Sequence, residues 1–300
     1  MEEFMDLPPL FVLFPLFVLF ALVAALVLVQ AGFSDAVAAR RSDMPASAKN
    51  ARRRSALLLV AGVILALPVG FALLWWDNFG RGAVTLVPGV ITCLVIGLAL
   101  SALSIDQVDR DSSEREASLV PRSLRSVVPP RFAVATAAGV LLAIGGLIAT
   151  TLTASADSFS NEMRAFSISY GDIGRTFSPY PGSFYSAPLM IAIVLVLVLA
   201  LACVKGAQRW GAVDTGLYDM ALRSRIATRG VACAAAISAF GIFVVGISLD
   251  RAAGAVSSVG DSSWGWKAAG ILGMGMMIYS GVLGLWAIVR FVAPLPSMSR

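Results

Sequence analysis

The 300-residue chain is 58% hydrophobic and 14% charged, carries a net charge of +5, contains no histidine and has a mean hydropathy of +0.84. Soluble domains are about 25% charged, so this composition excludes a soluble enzyme, a disordered chain and any chemistry that uses an imidazole. Cys93, Cys203 and Cys233 all lie inside apolar runs without CxxC spacing, which favours small packing residues over a disulfide framework or a zinc site.

The chain opens on an acidic segment, Met1 to Asp6, followed by the first apolar run, 10–29. A cleaved signal peptide would carry its positive charge before the run. Here the cluster Arg40, Arg41, Lys49, Arg52, Arg53 and Arg54 follows it, in a segment 30–55. Further apolar runs occupy 56–76, 84–105, 132–152, 187–204, 231–249 and 268–289. Each is about the ~20 residues that cross a bilayer core as a helix. They are continuous rather than alternating, which excludes a β-barrel. The expected fold is all-α, a single membrane domain of seven transmembrane helices.

Charge sets the expected threading. The segments 30–55, 106–131 and 205–230 plus the C-terminus hold eighteen Lys and Arg, against five on the opposite side. Positive charge marks the cytoplasmic side, so the N-terminus is expected outside and the C-terminus in the cytoplasm. The Arg-, Ala- and Gly-rich composition points to a GC-rich bacterial genome and hence to the bacterial cytoplasmic membrane.

Within the spans, Gly89, Cys93, Gly97 and Ser101 recur every four residues, and Gly270, Gly273, Gly275, Gly281 and Gly284 enrich the last run. Small residues let membrane helices approach closely. Pro68 and Pro88 lie inside the second and third runs, where each removes a backbone donor. Mid-span polar groups are Thr92, Thr136, Ser238, Ser280 and Tyr279, without a carboxylate or amine. Ion-coupled carriers and intramembrane proteases need such ionisable groups, so neither is expected. The acidic run Asp106, Asp109, Asp111, Glu114 and Glu116 lacks the glycine of a calcium loop and is read as solvated.

Two connections stand out. The outer loop 154–186 is long, and Phe159, Met163, Phe166 and Tyr170 fall on one face of a helical wheel, predicting an interfacial helix over 158–170. In the inner loop 205–230, Asp214 suits a helix cap, Leu217 and Leu222 form an apolar edge, and Arg223, Arg225 and Arg229 fall toward the expected helix end. These nine residues, from Phe159 to Tyr170 and from Leu217 to Arg229, are the candidate interaction surfaces.

No catalytic, cofactor-binding or metal-ligating set is expected. The expected function is a non-catalytic subunit of a transport or export assembly, whose inner loops meet anionic lipid and a cytosolic or membrane protein partner, not nucleic acid. The alternative is a stand-alone sensor that reads a ligand through the outer loop.

Overall fold

The computed structural model describes residues 46–75, 81–108, 127–157, 161–170, 173–209, 217–258 and 263–292. The first apolar run, 10–29, lies outside them, as do Phe159 and Asp214.

Six helices hold most of the described residues: α1 (Ala46–Trp75), α2 (Arg81–Val108), α3 (Pro130–Thr153), α4 (Ser183–Arg209), α5 (Leu217–Ser258) and α6 (Trp264–Val292). All six are long and apolar enough to cross a membrane. Large side chains such as Leu141, Ile191, Ile271 and Ile278 are more than two-thirds exposed. Rows of this kind on α3, α4 and α6 suit lipid, whereas water would penalise them. The chain is a membrane-embedded helical protein.

The helices correspond to the apolar runs but extend past them. α1 begins at Ala46, inside the segment read as a loop. The larger difference is α5. The sequence suggests a short basic helix ending near Arg229 and a separate span 231–249; the structure holds one helix of 42 residues. At 1.5 Å per residue that is about 63 Å, roughly twice a bilayer core. No proline interrupts it. Gly230, at the expected break, instead serves packing: a methyl group there would lie 2.9 Å from Cβ and 3.3 Å from Sγ of Cys203.

Two compact units divide the chain, with boundaries inside α3 to α6. The first comprises residues 1–133, 195–233 and 288–300. Its described core is the α1–α2 pair, which meets along the predicted small-residue stripe. A methyl group on Gly97 would lie 2.6 Å from the Leu58 carbonyl oxygen, and one on Gly62 would lie 2.8 Å from that of Cys93. Ser101, fully buried, donates to the Gly97 carbonyl at 2.8 Å and also lies 3.4 Å from the Ser55 carbonyl. Backbone contact this close is how small residues associate membrane helices. Pro68 and Pro88 both sit within continuous helix.

The second unit comprises residues 134–194 and 234–287. Its α5 and α6 cross at Gly246 and Gly273, where a methyl group on either would approach the other's carbonyl oxygen to 2.8 or 2.6 Å. Tyr279 donates its phenol to the Ala135 carbonyl on α3 at 3.0 Å. Gly275 and Gly281, by contrast, have open space above them.

This unit also corrects the all-α expectation. Residues 155–177 contain a three-stranded antiparallel sheet in the order β1 (Ser155–Ala156), β2 (Met163–Tyr170), β3 (Ile173–Phe177). The interfacial helix expected over 158–170 is absent from residues 163–170, which are strand. The four apolar residues match a helical wheel, but Phe166-Ser167-Ile168-Ser169-Tyr170 alternates with a period of two, the strand signal. Tyr170 pairs with Ile173, leaving Gly171-Asp172 between them, and Gly-Asp is a two-residue hairpin sequence.

Candidate functional site

The sheet closes one end of the second unit. On β2, Arg164, Phe166 and Ile168 share the face turned toward the helices, while Ser167 and Ser169 take the other, exposed face. Phe166 pairs with Phe177 across the hairpin. Phe166 and Tyr180 are buried with Ala252 and Val256 of α5, and Ala154, Ile168, Phe177 and Trp266 pack around them. Phe166 lies 5.2 Å from the Tyr180 ring and 5.5 Å from that of Trp266, edge-on in the second case. Such aromatic pairs contribute about 0.5–1.5 kcal/mol each beyond area burial.

Beneath the sheet is a buried ion pair. A shift of register at β1 brings Asp157 beside β2, where Arg164 donates through Nε at 2.9 Å and through Nη2 to the same carboxylate oxygen, Oδ2. Both residues are at least 95% covered. The guanidinium also lies over the Phe184 ring, 5.9 Å from its centre. The connection holding Asp157 turns through Asn161, whose φ of 56° is a left-handed conformation that asparagine tolerates. The Asn161 amide donates to the Asp157 carbonyl, and the Asp157 amide to that of Glu162, each at 2.9 Å.

A strap, residues 178–182, joins the sheet to α4. The Tyr180 amide donates to the Arg164 carbonyl at 2.7 Å. The Tyr180 phenol is 2.8 Å from the Thr153 hydroxyl at the end of α3. Burial raises the Tyr180 phenol above its ordinary value of 10.0, and the Thr153 hydrogen bond offsets part of that rise. Gly182 passes so close to the Met163 carbonyl that any side chain would overlap it. Ser186 then donates to the Pro181 carbonyl at 2.6 Å, inside the first turn of α4.

Of the outer candidates, Phe166 is a buried core residue, Met163 is 40% exposed, and Tyr170 closes β2 opposite Ile173. Phe159 lies outside the described residues. Met163, Phe166 and Tyr170 lie on a strand rather than a helix, with Met163 and Phe166 on opposite faces. Sequence reasoning missed Asp157, Arg164 and Tyr180, the groups that organise this end.

The inner candidates lie in the first unit, on the early turns of α5. Leu217 opens the helix and Leu222 is half-buried. Arg223, Arg225 and Arg229 are 7%, 9% and 3% exposed, so the chain itself covers them. Arg229 donates through Nε to the Phe291 carbonyl at 3.0 Å and lies over the Phe291 ring, 5.3 Å from its centre. Phe291 is in the last turn of α6, whose open carbonyls favour a cation. Ser224 donates to the Val127 carbonyl at 2.9 Å. Exposed cations in this unit include Arg53, Arg54, Arg131 and Lys205.

The hydroxyls inside the helices are occupied locally. Thr92 donates to Pro88, Thr151 to Leu147, Ser238 to Ala234, Ser248 to Val244 and Ser280 to Met277, all between 2.6 and 2.8 Å. Each acceptor is a carbonyl of the same helix, three or four residues back. Among the described residues, no group of three His, Cys, Asp or Glu converges as a metal site.

No family model, no curated protein and no solved structure matches this chain.

Proposed function

We propose that this chain is a non-catalytic, multi-pass subunit of a transport or export assembly in a bacterial cytoplasmic membrane. In this reading the run 10–29 is a seventh span, the N-terminus and the sheet lie outside, and the C-terminus is cytoplasmic. The observation that carries it is that the hydroxyls of Thr92, Ser238 and Ser280 donate to carbonyls of their own helices, while the Tyr279 phenol donates to a carbonyl of the neighbouring α3. Polar groups spent in this way offer a substrate or ion little along the membrane interior, so the chain acts through the surfaces it presents.

On the inner side, the exposed cations Arg53, Arg54, Arg131 and Lys205 form the surface for anionic lipid and for a cytosolic partner. Arg223, Arg225 and Arg229 support that surface from within; Arg229, for example, ties α5 to the end of α6.

A stand-alone sensor is the second reading. It is favoured by the hydroxyl row Ser155, Ser167 and Thr176, one residue per strand, half-buried at Ser155 and exposed at the other two, linked at 2.9 and 3.0 Å across the sheet.

Affinity purification from native membranes in mild detergent, with identification of co-purifying chains, separates the two. A stoichiometric partner, above all a nucleotide hydrolase, supports the subunit reading. Recovery of the chain alone at native expression overturns it in favour of the sensor.

A further inference from the structure

The second unit presents four helix ends on one side: the end of α3, the start of α4, the end of α5 and the start of α6. The sheet and its strap touch all four. Tyr180 bonds Thr153 of α3. The strap enters α4 through Gly182, whose carbonyl accepts from the Tyr185 and Ser186 amides at 3.1 and 2.9 Å. Phe166 and Tyr180 bury Ala252 and Val256 of α5, and Phe166 meets Trp266 of α6. The sheet is itself anchored by an ion pair that is at least 95% covered on both sides.

We infer that the sheet is a clasp: it locks these four helix ends into one cooperative unit, so that any rearrangement of the helices takes place away from this end. A lid over a ligand site would differ in three ways. It would rest on exposed, exchangeable contacts and carry its charges at the rim. Its hinge would lie in open chain. Here the contacts are aromatic and buried, the charged pair lies underneath, and Gly182 is wedged against the Met163 carbonyl. Opening would lift the Arg164 guanidinium off the Phe184 ring of α4 and expose a charged pair that is now buried. The clasp does not depend on the subunit reading; a sensor built on this frame would transmit through the same fixed end.

Segments that open as one unit show amide exchange with a common opening equilibrium. The test is hydrogen exchange of the full chain in lipid nanodiscs, read at 150–153, 185–187, 252–256 and 266–268. Tyr180→Phe deletes one hydrogen bond, which corresponds to an increase in exchange on the order of five-fold. The clasp requires that increase, by the same factor, at all four segments, with mid-helix amides unchanged. Ser186→Ala, at the opposite side of the strap, must produce the same four-segment pattern. An increase confined to the segment touching the altered residue overturns the clasp, as does no change at any of the four. Arg164→Met gives a larger shift in the same pattern; should that variant not accumulate, the two milder substitutions decide the question.

Discussion

The Arg164 guanidinium meets the Asp157 carboxylate beneath the three-stranded sheet, with Nε 2.9 Å from Oδ2 and neither residue more than 5% exposed. They are seven positions apart in sequence, and a register shift in the sheet places one beside the other. A pair this buried acts mainly as a constraint. Its desolvation cancels much of its attraction, while loss of one partner strands the other.

The two positions should therefore be strongly coupled. Arg164→Met or Asp157→Leu alone should cost about 3–5 kcal/mol, read as a fall in the thermal midpoint in detergent. The double variant replaces both charges by apolar groups and should recover most of that loss. Additive losses would show that the two side chains do not act as a pair.

The α1–α2 contact makes a second prediction. Gly97→Ala places a methyl group 2.6 Å from a backbone oxygen, so a helix must move, at a cost of about 1–3 kcal/mol. Gly275→Ala, which meets open space on α6, should change stability by no more than about 0.5 kcal/mol. Equal midpoints for the two variants would mean that α1 and α2 do not meet at this stripe.

Tyr180 gives the pH dependence. Its phenol is held neutral by burial, so its folded value lies above the ordinary 10.0 despite the hydrogen bond to Thr153. The unfolded chain releases the proton first. The contribution is therefore fully present below about pH 10 and is lost as pH rises through the folded value. Tyr180→Phe should flatten this alkaline decline in a denaturant titration; an unchanged decline would assign it to another group.

The described spans were legible because lipid imposes one simple rule on a long apolar run, and the Cys93–Gly97–Ser101 stripe was legible because its spacing has few other uses. The sheet is not legible in the sequence because Phe159, Met163, Phe166 and Tyr170 satisfy a helical wheel while Phe166, Ile168 and Tyr170 satisfy a strand. Two periods compete over a short window, and residues 163–170 adopt the period of two. The Asp157–Arg164 pair follows from register, which composition does not reveal. The sequence suggests a helix end at the α5 arginines because Gly230 follows them, but Gly230 packs on Cys203 instead.

The inner surface can be tested by charge. Reversing Arg53, Arg54, Arg131 and Lys205 to Glu should reduce binding to vesicles containing anionic lipid, by roughly 1 kcal/mol per residue, and should release a co-purifying partner while membrane insertion persists. Reversing the buried Arg223, Arg225 and Arg229 should instead lower stability and expression. If the exposed set leaves both lipid and partner binding unchanged, the inner face is not a docking surface.

The threading underlies the whole account, and labelling tests it directly. In a variant with Cys93, Cys203 and Cys233 replaced by Ala, a cysteine at Thr176, exposed on β3, should react with an impermeant thiol reagent in intact cells. A cysteine at Ser47, near the start of α1, should react only after lysis. The opposite pattern, with Ser47→Cys labelled in intact cells and Thr176→Cys protected until lysis, would contradict the account.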